Sequence, residues 1–204
     1  MSSNERKPMI IREMTFDDIS EVAELERRYS QTPWDATGLL SWWMRDDTLF
    51  LVAGEESTEG ADGAEAPALE EGAAPAGRPE AAEGTGADGG NGDEAFCESD
   101  MEYVPPVVYG YVGLVMVPYE SDITNITVSG DCRRQGIATA LFQELFRRCP
   151  EKGVSVIHLE VRESNAPARA LYEKLGFAVD GRRKHYYTEP TEDAILMTRK
   201  LRDP

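Results

Sequence analysis

Apolar positions fall into short alternating runs and longer helical stripes along this chain. Met9 to Arg12 (MIIR) reads as a short strand, and Thr15 with Asp17 and Asp18 then opens a helix whose apolar face is Ile19, Val22, Ala23 and Leu25. Pro33 interrupts that stripe. Asp35 is a candidate N-cap for a second helix presenting Leu39, Leu40, Trp42 and Trp43, and Thr48 to Ala53 (TLFLVA) follows as a strand. Further strands are predicted at Val107 to Val117, where Gly110 and Gly113 mark a bulge or close backbone approach, and at Asp122 to Val128. A helix from Gln135 to Arg148 buries Leu141, Leu145 and Phe146. The strand Ser155 to Val161 comes next, with apolar alternation at Val156 and Val161, completing a strand, helix, strand crossover. Asn165 introduces a short helix that runs to Lys174 and ends at Gly176, and Phe177 to Leu201 reads as two strands around Glu189 to Glu192. This mixed order predicts an α/β layer structure, and there is no internal repeat.

One stretch lacks either period. Between Glu55 and Glu102 lie 15 acidic residues and one basic residue, Arg78, so this segment carries about −14 of the net −17 charge. It is rich in Ala, Gly and Pro and nearly free of large apolar residues. It cannot bury enough surface to offset its ordering entropy, and residues 55–102 are expected to form a disordered insertion. The about 155 residues that remain suffice for one hydrophobic core, so a single domain over 1–204 is expected. The charge segregation suggests attraction of basic surfaces, with a solubilising spacer as the other reading.

The acidic balance argues against a nucleic-acid partner, which needs clustered Lys and Arg. No run of eighteen apolar residues occurs and the N-terminus has no apolar signal stretch, so neither a membrane partner nor export is expected. Cys97, Cys132 and Cys149 are odd in number and not spaced as zinc ligands, which points to a reducing cytoplasm and to no structural metal. A monomer is expected.

The segment richest in chemistry is Asn125 to Thr139, NITVSGDCRRQGIAT, where a strand turns into a helix start containing Arg133-x-x-Gly136-x-Ala138. Unpaired N–H groups and the positive end of the dipole suit a helix start to bind an anion such as a pyrophosphate. Gly136 and Ala138 leave room for a phosphate against the backbone, and Arg133 and Arg134 add charge at the rim. Pattern alone leaves a simple turn open.

These residues resemble the acetyl-coenzyme A signature Gln/Arg-x-x-Gly-x-Gly/Ala of the GNAT superfamily of N-acetyltransferases. Two further blocks, HLEVRESNAPARALYEKLGF (His158 to Phe177) and RRKHYYTEPTEDAILM (Arg182 to Met197), together with the Pro33-Trp34 pair, look like the RimI-type ribosomal-protein alanine N-acetyltransferases. The resemblance implies a GNAT fold, a mixed central sheet flanked by helices. It implies transfer of acetyl from acetyl-CoA, as co-substrate, to a protein N-terminal amine in a ternary complex, the acceptor being the N-terminal alanine of a small-subunit ribosomal protein. Ile126, Thr127 and Val128 would face the pantetheine and thioester, Arg134, Gln135, Gly136, Ile137, Ala138 and Thr139 the pyrophosphate, and Asn165 would also contact the co-substrate. Two strands splayed apart at the site would leave amides free to pair with it, and a backbone N–H near Val128 would polarise the thioester carbonyl.

By the same resemblance Glu160 is the general base and Tyr172 the acid that protonates the departing thiolate. From the residues alone, Glu160 also reads as a solvent-facing carboxylate or a partner of Arg162, and Tyr172 as core packing. Tyr186 and Tyr187 would line the acceptor groove, although strand alternation points them to opposite faces and lets only one face it. Pro33 and Trp34 would form the opposite wall; a core tryptophan is an equal reading. His158 and His185 fit no metal or triad spacing, and Cys132 has no neighbouring His to make it a nucleophile. Two other functions stay open: acetylation of lysine or a small-molecule amine, and a non-catalytic acetyl-CoA-sensing module.

Overall fold

A computed structural model describes residues 8–55 and 105–201. Apart from Glu55, the acidic stretch 55–102 lies outside the described residues, as does Cys97. The elements are β1 (Met9–Glu13), α1 (Ile19–Tyr29), α2 (Ala36–Trp43), β2 (Thr48–Glu55), β3 (Val108–Val117), β4 (Tyr119–Val128), α3 (Ile137–Arg148), β5 (Val154–Arg162), α4 (Ala166–Lys174), β6 (Ala178–Thr188) and β7 (Thr191–Lys200). Short 3₁₀ turns occupy Phe16–Asp18, Gly130–Cys132 and Cys149–Lys152.

The seven strands form one mixed sheet in the order β1-β2-β3-β4-β5-β7-β6. Only β4 and β5 run parallel, because α3 carries the chain back between them; the other neighbours are antiparallel. Strand β2 shows why the sheet has helices on both faces. Its interior is buried residue after residue, and alternation sends Leu49, Leu51 and Ala53 to one side and Phe50 and Val52 to the other. On the first side they meet Leu141, Phe142 and Leu145 of α3 and Tyr172 of α4. On the second they meet Ile19, Val22, Leu25 and Leu39 of α1 and α2.

Several expectations shift by a few residues. Strand β4 begins at Tyr119, three residues before the predicted start, because Tyr119 adopts φ 71° and closes a tight hairpin with β3. In α3 the ring wholly shut from solvent is Phe142, on the same stripe as Leu141 and Leu145, while Phe146 is only partly buried. On β5 the core positions are Ile157, Leu159 and Val161; Val156 lies on the opposite side of the strand, five residues from Val161 and so out of phase with it.

The entry to α1 is held by a buried charge. The Asp18 carboxylate, wholly shut from solvent, accepts Nη1 and Nη2 of Arg12 at 2.5 and 2.7 Å and the Thr15 backbone N–H at 2.8 Å. Removing one partner of such a pair costs about 3–5 kcal/mol, and Arg12 can still reach water, so Asp18→Asn is expected to lose about 3 kcal/mol, at the lower end of that range. Urea unfolding measures this; a loss below 1 kcal/mol would show that the pair adds little.

Candidate active site

Strand β4 pairs with β3 over its whole length, from Glu120 opposite Val117 to Val128 opposite Gly110. With β5 it pairs only from Tyr119 to Asp122, opposite Val154 to His158. Beyond that point β5 stays with β7 as far as Arg162, so the facing edges Ile123–Val128 and Leu159–Arg162 diverge. A bulge in β4 contributes to the bend: Asn125 and Ile123 face consecutive residues of β3, Gly113 and Leu114, leaving Thr124 as the extra residue. The bulge needs Gly113, since a Cβ there would lie 2.5 Å from the Thr124 hydroxyl and 2.6 Å from the Phe50 ring.

The divergence opens a cleft of about 520 Å³. Its walls are the two strand edges, residues 29–32 at the end of α1 and just beyond it, and the rings of Tyr172 and Tyr187. That volume is in the range of small-ligand sites.

The N-terminus of α3 adjoins β4. Gly136 is its N-cap, at φ 83°, and a Cβ added there meets nothing within 4 Å. The first internal helix bond runs from the Ala140 N–H to the Gly136 carbonyl at 2.9 Å, which leaves the amides of Ile137, Ala138 and Thr139 without helical partners. The helix starts two residues later than the periodicity suggests because Arg134, at φ 64°, and Gly136 are both left-handed. Gln135 donates to the Asp131 carbonyl at 3.2 Å, and the Ile137 side chain is buried in the core, anchoring the turn. Arg133 donates Nε to the Val128 carbonyl at 3.4 Å, with its guanidinium 5.4 Å from the Tyr29 ring centroid. Open amides, room at Gly136 and exposed Arg133 and Arg134 together suit a phosphorylated ligand.

At the other wall, Glu160 projects from β5 and uses both oxygens. Oε1 accepts from Arg183 Nη1 at 2.6 Å and Oε2 from the Tyr186 hydroxyl at 2.7 Å. Arg162, the sequence candidate for its partner, is buried instead against the β6–β7 turn. It donates to the Glu189 and Pro190 carbonyls at 3.0 and 3.2 Å, with its guanidinium 4.1 Å from the Tyr187 ring centroid. Tyr186 and Tyr187 do not point to opposite faces. The β6 register slips between Arg183 and Tyr187, with His185 at φ 53°, and the two rings stack edge-on at 5.1 Å. Hydrogen bonding to Glu160 raises the Tyr186 hydroxyl, and burial pushes Tyr187 up to about 12. Tyr172 is 7% exposed, packed edge-on against Phe142 and Phe177, and burial drives its hydroxyl far above the ordinary tyrosine value.

Residues 88–177 match the Acetyltransferase (GNAT) family, and the splayed parallel pair beside a glycine-capped helix lies within that span. The chain has the fold of the GNAT acetyltransferases. Its fold is that of the crystal structure of the ribosomal-protein-S18-alanine N-acetyltransferase from Escherichia coli, with a TM-score of 0.66 at 24% identity over 97% of this chain and 96% of that one. In sequence the chain is 46% identical over 80 residues to the [ribosomal protein bS18]-alanine N-acetyltransferase of Escherichia coli (strain K12), covering 38% of this chain and 54% of that protein. It is 37% identical over 102 residues to the N-alpha-acetyltransferase of Sulfurisphaera tokodaii, covering 48% and 60%. The chain thus spans little more than half the length of these relatives.

Within this fold, Thr127, Ile126 and Asn165 line the cleft together with Arg133, Glu160, Tyr172 and Tyr187. The side chains of Ile126 and Val128 pack toward the core, so Ile126 offers the cleft its backbone. Asn165 also caps α4, its Oδ1 accepting the Ala168 N–H at 3.3 Å. Pro33, Trp34, Val128, Tyr186 and residues 134–139 are not among the lining residues. Trp34 stacks 5.3 Å from Trp42 on the α2 side, and the adjacent run 29–32 forms that wall.

Sequence reasoning missed three participants. Arg183 is separated from Glu160 by 23 positions and meets it only through sheet register. Asn125 lines the cleft. Glu26, buried at the foot of α1, did leave a signal: it continues the helical stripe of Ile19 and Val22 at the i+7 and i+4 positions, where an apolar residue is expected.

Proposed function

We propose that this domain transfers the acetyl group of acetyl-CoA to the α-amine at a protein N-terminus. The observation that carries this reading is the splayed β4–β5 edge beside the unpartnered first turn of α3: one site offers strand amides to an amide-bearing chain and helix amides to its phosphates. The names of the Escherichia coli and Sulfurisphaera relatives support an α-amine, and the former supports the N-terminal alanine of a ribosomal protein as acceptor.

In this reading, Ile126 to Val128 align the thioester along β4, and the amides of 136–139, with Arg133 and Arg134, hold the pyrophosphate. An α-ammonium loses its proton near pH 7.7–8.0, so the Glu160 carboxylate, kept ready by Arg183 and Tyr186, needs to take that proton only as the nitrogen attacks. The new C–N bond forms as the C–S bond breaks, and Tyr172 supplies a proton to the leaving sulfur. Transfer is direct. Burial pushes the Cys149 thiol up to about 11, so it is protonated and inert at neutral pH.

Two peptides that begin with alanine and contain one lysine, with free and blocked N-termini, test the assignment. Acetyl is expected on the α-amine of the first and nowhere on the second; lysine acetylation of the blocked peptide would overturn the reading.

Tyr172→Phe should lower kcat about 10- to 100-fold while leaving acetyl-CoA affinity unchanged, because the ring packing against Phe142 and Phe177 is kept. The acid form of Tyr172 is the active one and its pKa is raised. The wild-type rate should therefore climb as the acceptor amine deprotonates and show no falling limb up to pH 10. A rate that falls between pH 8 and 10 would remove Tyr172 from this role.

A further inference from the structure

The Glu26 carboxylate is wholly buried, yet no cation pairs with it among the described residues. The groups around it are neutral: the Thr127 hydroxyl at 2.5 Å, Asn125 Nδ2 at 3.3 Å, the Trp34 backbone N–H at 3.4 Å, and the buried Tyr111 phenol of β3, whose pKa Glu26 helps to raise. A buried charge held only by neutral groups is costly, and an apolar side chain would continue the α1 stripe at less cost. Asn125 carries a second anomaly. A carboxylate only accepts, so the carboxamide must turn its NH₂ toward Glu26, which directs Oδ1 the other way. That oxygen is shut from solvent, has no hydrogen-bond partner, and belongs to a residue lining the cleft.

Both anomalies sit on one side of β4. Asn125 and Thr127 reach toward α1, while Ile126 and Val128 pack into the core under α3. The α3 side is where a phosphorylated carrier fits. The α1 side therefore holds an unpaired acceptor oxygen beside a buried carboxylate that no cation pairs with among the described residues, and a shift of the Asn125 side chain is required before an incoming group reaches that oxygen.

We propose that Asn125 receives an N–H of the acceptor's terminal amine on Oδ1, and that Glu26 is a positioning residue which fixes the carboxamide's orientation and favours a cationic ammonium at that point. The ligand class is a primary amine, and the inference rests on the acetyl-transfer reading above. It explains how one strand keeps two substrates apart: backbone groups serve the thioester carrier, and side chains on the α1 face gather the amine. In Glu26→Gln the charge is gone and the new amide can donate to Oδ1, reversing the carboxamide; in Asn125→Ala the acceptor oxygen is gone.

The test measures wild type, Glu26→Gln and Asn125→Ala with an alanine-starting peptide and with its des-amino analogue as inhibitor, alongside acetyl-CoA titration. Both variants are expected to raise the peptide KM about tenfold, to keep kcat within about threefold, and to leave acetyl-CoA affinity and des-amino inhibition within about twofold. An unchanged peptide KM in both variants overturns the proposal. So does an equal weakening toward acetyl-CoA and the des-amino peptide, since it would mark a role in the fold alone. A wild-type protein that acetylates no peptide amine would remove the acetyl-transfer reading itself, an outcome distinct from either.

Discussion

Gly136→Glu is expected to weaken acetyl-CoA binding by at least about a hundredfold, equivalent to about 2.7 kcal/mol. Two effects add. Any side chain at φ 83° strains the left-handed N-cap, and the carboxylate would occupy the open space in front of the α3 amides, opposing a phosphate in the one place where the helix end favours anions. Gly153→Glu separates the two. Gly153 has nearly the same backbone, φ 81°, and the same open surroundings, but it lies at the start of β5, away from the cleft. Both variants should lose similar thermal stability and only Gly136→Glu should lose affinity. Equal affinities in the two would mean that the α3 turn does not touch the carrier.

Glu160→Gln is expected to lower kcat about a hundredfold near pH 7.5 with acetyl-CoA affinity unchanged. The substitution keeps the shape of the side chain and its contact with the Tyr186 hydroxyl while removing the proton acceptor. The deficit should shrink above pH 9, where the acceptor amine has already lost its proton and needs less help from a base. Stopped-time assays across pH measure both effects. A variant with wild-type kcat at pH 7.5 would exclude Glu160 as the base and leave it as an anchor for Arg183 and Tyr186.

The parts of this molecule legible in the sequence are those encoded locally. The strand TLFLVA, the Asp35 cap whose Oδ1 takes the Gly38 N–H at 2.7 Å, and the Gly136 turn each announce themselves through neighbours a few residues apart. The start of β4 at Tyr119 was hidden because Tyr-Glu-Ser shows no apolar alternation, and pairing with β3 supplies what pattern does not. Tyr186 and Tyr187 obey a local slip in register that no period of two can foretell. The environment of Glu160 depends on Arg183 arriving from β6, although β6 does not pair with β5 in the sheet: β7 lies between them. Sequence similarity points to Glu160 and Tyr172, but it does not show that one is doubly hydrogen-bonded and the other sealed among aromatic rings.

In the proposed reading, the splayed edge of β4 and the first turn of α3 grip acetyl-CoA with their backbone amides. Hydrogen exchange with and without acetyl-CoA reads those amides one segment at a time. Slower exchange is predicted in 126–128 and 136–139, with little change in β1, which lies at the far edge of the sheet. Unchanged exchange in both segments at saturating acetyl-CoA, or protection found only elsewhere, would contradict it.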